Sequence, residues 1–417
     1  MANIAVTAFC NLRCPYCFAD EMINEQTANI TLERYHEILD WLSRTPENHV
    51  GIIGGEPTIH PQFDKILEET NRYCREVNTS ATLFTNGIML DKFVDKIGNA
   101  IGILINCNHP DGMTADQWRQ FCNTMEHLHL LDWFHPGRER ANIGCNLYAE
   151  RTDYDYIWAI IDKYNIKRLR VSVTAPITDE HRHNKEKYFE DMKPIFMDFV
   201  DKATERQIIL GKDCSQIPDC YFTRQEMDRI LKVMPDKMEP HFCEPVIDIT
   251  PQFTATACFG CYSPVDCREF PTVIDLRRWL LHNRSFPRMR ENATGRCKGC
   301  KQHELMMCEG GCLGFSPVDD SKLKQIGDGK PLGSYDAPTV VQAEVLPAED
   351  GSCECGCCGP NATNPKVNNE IDLLSLKTTK GRVEQAACSH PVTESCDEST
   401  CASCGGCAPA TEGGDPQ

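Results

Sequence analysis

Twenty-six of the 417 residues are cysteine. That density leaves two broad classes, a secreted disulfide scaffold or an intracellular metalloprotein. The first residues, Met-Ala-Asn-Ile-Ala-Val-Thr-Ala-Phe-Cys, show no charged stretch leading into an apolar one, so no signal peptide is expected. No apolar run is long enough to suggest a membrane span. A large chain with clustered thiols and no export signal is read as cytoplasmic, reduced and metal-binding. Lys and Arg number 43 against 61 Asp and Glu, a net charge of −18. Such an acidic surface argues against non-specific nucleic-acid binding, which needs a basic field.

Composition divides the chain in three. Residues 1–237 alternate short β-rich runs with longer amphipathic ones. Candidate strands are Ile4–Ala8, Val50–Ile53, Ser80–Phe84, Ile101–Asn106, Asn142–Tyr148 and Leu169–Val173. Each is followed by a helical pattern. Leu32, Tyr35, Ile38, Leu39 and Leu42 recur at helix spacing behind Thr31, a plausible N-cap. Similar patterns start near Phe63, Tyr156 and Phe189, and Thr223-Arg-Gln-Glu226 reads as a capping box. Strands alternating with helices predict an α/β fold with a parallel sheet, open or closed into a partial barrel. In either form, functional loops gather at the strand C-terminal ends. Residues 238–335 have little periodicity and many thiols, so they are expected to fold around metal. Residues 336–417 hold nine cysteines but, from Pro338 on, no Phe, Trp or Tyr, and are read as a flexible tail.

Directly after the first candidate strand stands Cys10-Asn-Leu-Arg-Cys14-Pro-Tyr-Cys17. Thiolates are the usual ligands of iron–sulfur clusters. Three of them on one loop can hold three irons of a [4Fe–4S] cube and leave the fourth open, as catalytic metal sites do. On spacing alone a zinc knuckle is a live alternative. The second candidate strand runs into Gly54-Gly55-Glu56-Pro57. The glycines allow the main chain to bend close to a ligand, and Glu56 offers an acceptor to an ammonium group.

With Tyr16 in the aromatic position, the first run resembles the C-x3-C-x-aromatic-C motif of the radical S-adenosylmethionine (SAM) superfamily. Gly54-Gly55-Glu56 resembles that family's Gly-Gly-Glu motif. The resemblance implies a partial (β/α)6 TIM-like barrel with Cys10, Cys14 and Cys17 as cluster ligands. The open iron would chelate SAM, and its reduction would cleave SAM to a 5′-deoxyadenosyl radical. Gly54, Gly55, Glu56 and Pro57 would hold the SAM amino group. By the same resemblance Asn86, in the turn Thr85-Asn86-Gly87, would lie near SAM. Glu150 would reach the ribose, and Thr174 with Pro176 the adenine; each of these is equally a plain loop residue. Cys74, Cys107, Cys122 and Cys145 fall inside helical or strand patterns and are expected to serve as small hydrophobes.

A second array, Cys297-Lys-Gly-Cys300 then Cys308-Glu-Gly-Gly-Cys312, follows Cys243, Cys258, Cys261 and Cys267. Residues 247–257 between them form a plausible hairpin. The array resembles the SPASM extension of radical SAM enzymes, which holds auxiliary [4Fe–4S] clusters. Phe253 stands where that pattern has glycine, and the gap between Cys300 and Cys308 is seven residues rather than five. The resemblance implies one or two auxiliary clusters, one on Cys243, Cys258 and Cys312, the other on Cys297, Cys300 and Cys308. Cys261 and Cys267 are extras, and a terminal ligand is open among Cys353, Cys355, Cys357 and Cys358. A structural zinc ribbon is the alternative. The tail cysteines admit further metal binding, a sulfur-handling arm, a fused acceptor peptide, or a bland reduced extension.

The expected function is hydrogen abstraction from a peptide or protein side chain, leading to a crosslink or an oxidised residue. This rests on analogy with SPASM enzymes. Beginning almost at the first strand, the chain is expected to lack the N-terminal peptide-recognition domain of many such relatives. A small molecule or cofactor precursor is the alternative substrate. A non-catalytic metal carrier is a third reading, disfavoured because a carrier has no need of the Gly54–Pro57 motif. An electron donor such as ferredoxin or flavodoxin is the expected partner, with no nucleic acid and no membrane.

Overall fold

The computed structural model describes residues 1–315 except 26, 27, 47, 214, 215, 239–242 and 306. Seven parallel strands form the body of one sheet. They are β1 (Ala2–Ala5), β2 (Val50–Ile53), β3 (Ala81–Thr85), β4 (Ile101–Asn106), β5 (Ala141–Leu147), β6 (Arg168–Val173) and β7 (Ile209–Lys212). They stand side by side in sequence order. Every residue of β1 and β2 is buried, as helices on the outer face and packed side chains within require of a parallel sheet.

Local sequence accounts for most of the helices. Between β1 and β2 run α1 (Asp20–Glu25) and α2 (Leu32–Leu42); Thr31 accepts from Arg34 N at 3.2 Å and caps α2 as expected. Helix α3 (Phe63–Glu76) buries Phe63, Ile66, Leu67, Thr70, Tyr73 and Cys74 along one face. The segment after β3 departs from the expected pattern, for Leu90–Lys96 is a 3-10 helix. Helices α4 (Ala115–Leu130), α5 (Asp155–Tyr164), α6 (Asp179–His183) and α7 (Lys185–Arg206) complete the outer layer. The capping box at Thr223 opens α8 (Arg224–Val233), with Thr223 and Glu226 bonded in both directions.

Strand β7 was not legible in the sequence, because Gly211 and Lys212 interrupt a short apolar run. The hairpin expected at 247–257 is present as β8 (Asp248–Ile249) and β9 (Thr254–Thr256), paired antiparallel, with β10 (Val265–Asp266) beyond. Strand β8 also pairs parallel with β1, Asn3 facing Asp248 and Ile4 facing Ile249. The sheet therefore has ten strands, in the order β10-β9-β8-β1-β2-β3-β4-β5-β6-β7, and does not close, since β7 and β10 are its two edges. This is the partial TIM-like form of the expected α/β fold.

All described residues fall within one compact unit, Met1–Thr339, so the expected boundary at 237/238 runs through a continuous body. The cause is visible in β8, which joins the cysteine-rich segment to the barrel sheet. Phe253, at the position where glycine was expected, has φ +66°, the left-handed backbone a glycine adopts freely. That conformation costs a side-chain-bearing residue roughly 1–2 kcal/mol. The ring offsets it by burial against Trp41, edge to face at 5.7 Å between centroids.

Candidate functional site

The three cysteines of the first run occupy the loop leaving β1, each half-buried. Within the loop, Cys17 N donates to Cys14 O and Arg13 donates to the carbonyls of Cys10 and Leu12. Burial raises the Cys10 and Cys17 thiols and pushes Cys14 up to about 12, with Cys17 and Cys10 adding to that rise. Thiols held protonated by burial and mutual repulsion are a donor set that a bound cation would deprotonate. Among the described residues no three His, Cys, Asp or Glu side chains converge closely enough to share a single metal ion. The fit to a cluster, whose irons sit at separate corners, therefore rests on the loop and its three thiols.

The turn after β2 is locked onto this loop. Gly55 N donates to Thr7 O and Glu56 N to Phe9 O, both at 2.8 Å. A Cβ on Gly54, where φ is +149°, would lie 2.4 Å from Thr7 O, and one on Gly55 would lie 2.1 Å from Phe9 O. The two glycines thus bring the main chain against the cysteine loop itself, a role the motif alone did not specify. Glu56 is buried, and its carboxylate is a junction. Oε1 accepts from Thr58 N at 3.1 Å and from the Thr58 and Thr85 hydroxyls, both at 2.6 Å; Oε2 accepts from Asn86 N at 2.7 Å. Burial raises this carboxyl despite those donors. Pro57 opens the single turn Pro57–Ile59 that presents Thr58.

Two neighbouring strand ends complete the frame. Asn86, after β3, donates from Nδ2 to Asn11 Oδ1 at 2.7 Å and accepts from Ile88 N. Gln117 in the first turn of α4 donates to Asn11 O at 2.9 Å, and its side chain also closes a capping box with Thr114. Asn108, after β4, receives both the Tyr16 hydroxyl at 2.5 Å and the Cys14 thiol at 3.2 Å on one oxygen. Tyr16 packs on Tyr148, with 5.0 Å between centroids. Asn11, Asn108 and Gln117 were missed by sequence reasoning. The usable signal was positional: each is a polar residue at or beyond a strand C-terminal end.

The remaining barrel residues lie at the ends of β5 and β6. Glu150 Oε1 is 3.2 Å from His181 Nδ1, and His181 Nε2 is 2.9 Å from Asp191 Oδ2, which Lys187 also reaches. Thr174 is buried, its carbonyl accepting from the Tyr188 hydroxyl at 2.6 Å. Cys74, Cys107 and Cys145 are buried in the main core and Cys122 packs against it, as expected of small hydrophobes.

The later cysteines gather elsewhere. A cavity of about 680 Å³ is lined by Cys243, Cys258 and Cys261 together with Cys297, Cys300, Cys308 and Cys312. Cys267 is apart from them, fully buried in the main core with its amide on Phe253 O. Asn292 holds the Cys308–Cys312 turn, donating to Glu309 O at 2.6 Å and Gly311 O at 2.9 Å. Gly310 and Gly311 both have positive φ there. The tail cysteines, including Cys353, Cys355, Cys357 and Cys358, lie outside the described residues.

Residues 4–113 match the family model described as "Radical SAM superfamily". Among curated proteins, the chain is 32% identical over 97 residues to a GTP 3′,8-cyclase of Synechocystis, covering 23% of this chain and 29% of that one. It is 23% identical over 194 residues to a tungsten-containing aldehyde ferredoxin oxidoreductase cofactor-modifying protein of Pyrococcus furiosus, covering 42% and 52%. The chain thus spans about half or less of the length of these relatives. Among solved structures, Streptococcus suis SuiB bound to S-adenosylmethionine superposes with TM-score 0.51 at 16% identity, covering 76% of each chain. Native anSMEcpe with bound AdoMet gives TM-score 0.51 at 15% identity, covering 75% of this chain and 88% of that one. These two likenesses establish the fold. The family match covers both the β1 and β2 loops, so residues 4–113, the segment that carries both motifs, are similar to the radical SAM superfamily.

Proposed function

We propose that Cys10, Cys14 and Cys17 hold the [4Fe–4S] cluster and that the chain reductively cleaves SAM to abstract hydrogen from a peptide or protein side chain. The observation that carries the reading is the interlock of the three-thiol loop with the Gly54–Glu56 turn at adjacent strand ends. When bound, the reduced cluster supplies the electron that breaks a carbon–sulfur bond of SAM. The protein supplies position. Gly55 and Glu56 amides fix the loop height, Asn108 holds Cys14 and Tyr16 together, and Glu56 ties three loops into one frame. Glu56 Oε2 carries one protein donor and Oε1 three, so Oε2 is the oxygen with acceptor capacity left for the SAM ammonium. Asn86, Glu150 and Thr174 line strand ends in positions suited to the rest of SAM.

The cavity of clustered thiols supports a SPASM-like auxiliary domain holding one or two further clusters. Peptide specificity is supported by the reach of the structural likeness, which extends over three quarters of the chain to SuiB, including SuiB bound to precursor peptide SuiA at TM-score 0.50. The second reading, a small-molecule substrate, is favoured by the likeness to GTP 3′,8-cyclases. That likeness covers only 97 residues in the first of them. Ferredoxin or flavodoxin would supply the electron in a reducing cytoplasm. Anaerobically reconstituted protein with SAM and dithionite should form 5′-deoxyadenosine, and Cys14→Ala should not. Equal yields from the two proteins would sink the enzyme reading.

A further inference from the structure

The thiol-lined cavity contains an eighth cysteine that no motif spacing announces. Cys220 sits on the single turn Asp219–Tyr221, between β7 and α8, far ahead of the cysteine array in sequence. Three contacts hold that turn at the cavity. Arg296 donates to Cys220 O at 3.2 Å, and its guanidinium lies 4.4 Å from the centre of the Tyr221 ring. The buried Lys237 reaches Asp219 and Ile217 O, both at 3.0 Å. Arg296 directly precedes Cys297, and its amide is anchored on Glu186 Oε1 at 3.1 Å. The residue beside one array cysteine therefore clamps the turn that carries Cys220.

The eight lining thiols fall into two sets. Cys243, Cys258 and Cys261 pack together around Met289 and Leu313, close to the turn bearing Cys312. On the other side the exposed Cys220 lines the cavity with Cys297, Cys300 and Cys308, tied to the Cys297 backbone through Arg296. A Cβ on Gly310 would lie 2.3 Å from Asn292 O and 3.5 Å from Cys297 Sγ, so the turn after Cys308 runs beside Cys297. Cys267, the extra ligand suggested by position in the chain, is buried in the core and does not line the cavity.

We infer that Cys220 is the fourth protein ligand of an auxiliary iron–sulfur cluster whose other three are Cys297, Cys300 and Cys308. This rests on the auxiliary-cluster reading and deepens it. A cluster with four thiolates has no open iron, so it suits electron relay or structural support rather than substrate binding. It would staple the loop after β7 to the cysteine-rich segment. Cationic side chains in the lining, among them Arg284, Arg288 and Arg296, complement the negative charge of a thiolate-bound cluster.

The test uses the full chain carrying Cys10→Ala, Cys14→Ala and Cys17→Ala, so that all remaining iron is auxiliary. After anaerobic reconstitution, this parent should bind iron and show cluster absorbance. Adding Cys220→Ser should cost about a quarter of that cluster's iron on mild oxidation, leaving the paramagnetic three-iron form visible by electron paramagnetic resonance. Cys220→Asp, which keeps an anionic ligand, should restore the fourth iron. A Cys220→Ser protein with the parent's iron content and spectrum overturns the inference while leaving auxiliary clusters intact. A parent without iron overturns the auxiliary reading and the inference with it. If Cys220→Ser loses all auxiliary iron, recovery in Cys220→Asp supports the inference, and failure to recover overturns it.

Discussion

Gly55 has no room for a side chain, because its missing Cβ would lie 2.1 Å from Phe9 O and 3.0 Å from Cys10 N. Both neighbours are backbone atoms of the cysteine loop and cannot turn aside. Gly55→Ala should therefore destabilise the protein by about 1–3 kcal/mol, read by urea denaturation, and reduce iron at the three-cysteine loop. Unchanged iron content would count against the interlock. Glu56 makes a second prediction. Glu56→Gln turns one acceptor of a buried junction into a donor facing donors, so a loss of about 1–3 kcal/mol is expected from the unmatched groups. Glu56→Asp, shorter by one methylene, should not restore it. A Glu56→Gln variant as stable as the parent would show that the junction is dispensable.

At the scale of elements, α4 and β8 tie distant segments together in different ways. Helix α4 does more than cover β4, since Gln117 caps it and also holds Asn11 O. Gln117→Ala should lower stability by about 1 kcal/mol through the cap and slow 5′-deoxyadenosine formation; Thr114→Ala should reproduce only the first effect. Strand β8 reports itself through pH. Asp248 is fully buried, bonded to Asn3 Nδ2 at 2.7 Å and Phe259 N at 2.7 Å, and burial pushes its carboxyl up to about 6 from an ordinary 3.8. Between those values the folded protein holds a proton that the unfolded chain has released. Stability should then fall as pH rises through that window, by roughly 3 kcal/mol in all. Urea titrations at pH 4 and pH 7 on wild type and Asp248→Asn check it, because the variant should lose this part of the pH dependence. Phe253 shows the same junction absorbing strain, its left-handed backbone held by a ring buried on α2.

For the whole molecule, the three-cysteine loop after β1 and the thiol-lined cavity are both built from described residues. A chain ending at Ser334 should keep 5′-deoxyadenosine formation and the iron of the full-length protein. Loss of iron on truncation, counted against full-length protein, would instead bring tail cysteines into a metal site. Among the described residues no helix is long and apolar enough to cross a membrane. Much of this organisation was legible beforehand. Six strands, four amphipathic helices and the Thr223 capping box follow from periodicity and end signals, which act within a few residues. The three-cysteine loop and Gly54–Pro57 were legible because their chemistry is confined to one turn each. Strand β7, the 3-10 segment after β3 and the β1–β8 pairing were not, since each depends on partners far along the chain.

The division between the two sources is physical. Local sequence determined the sheet type, the strand ends on which a site can form, and the thiol loop that suits a cluster with an open iron. Those features need only neighbours in the chain. Only the tertiary structure decided that the two glycines press on the cysteine loop, that Asn108 joins Cys14 to Tyr16, and that Glu56 serves as a junction. It alone placed Cys220 in one cavity with Cys297 and Cys308, and set Cys267 in the core. Spacing within a motif cannot show such pairings, because they depend on how the chain packs between residues distant in sequence. The thiols that opened the reading were thus sorted by the fold, which brought one cysteine without a motif to a shared cavity and withdrew one that spacing had included.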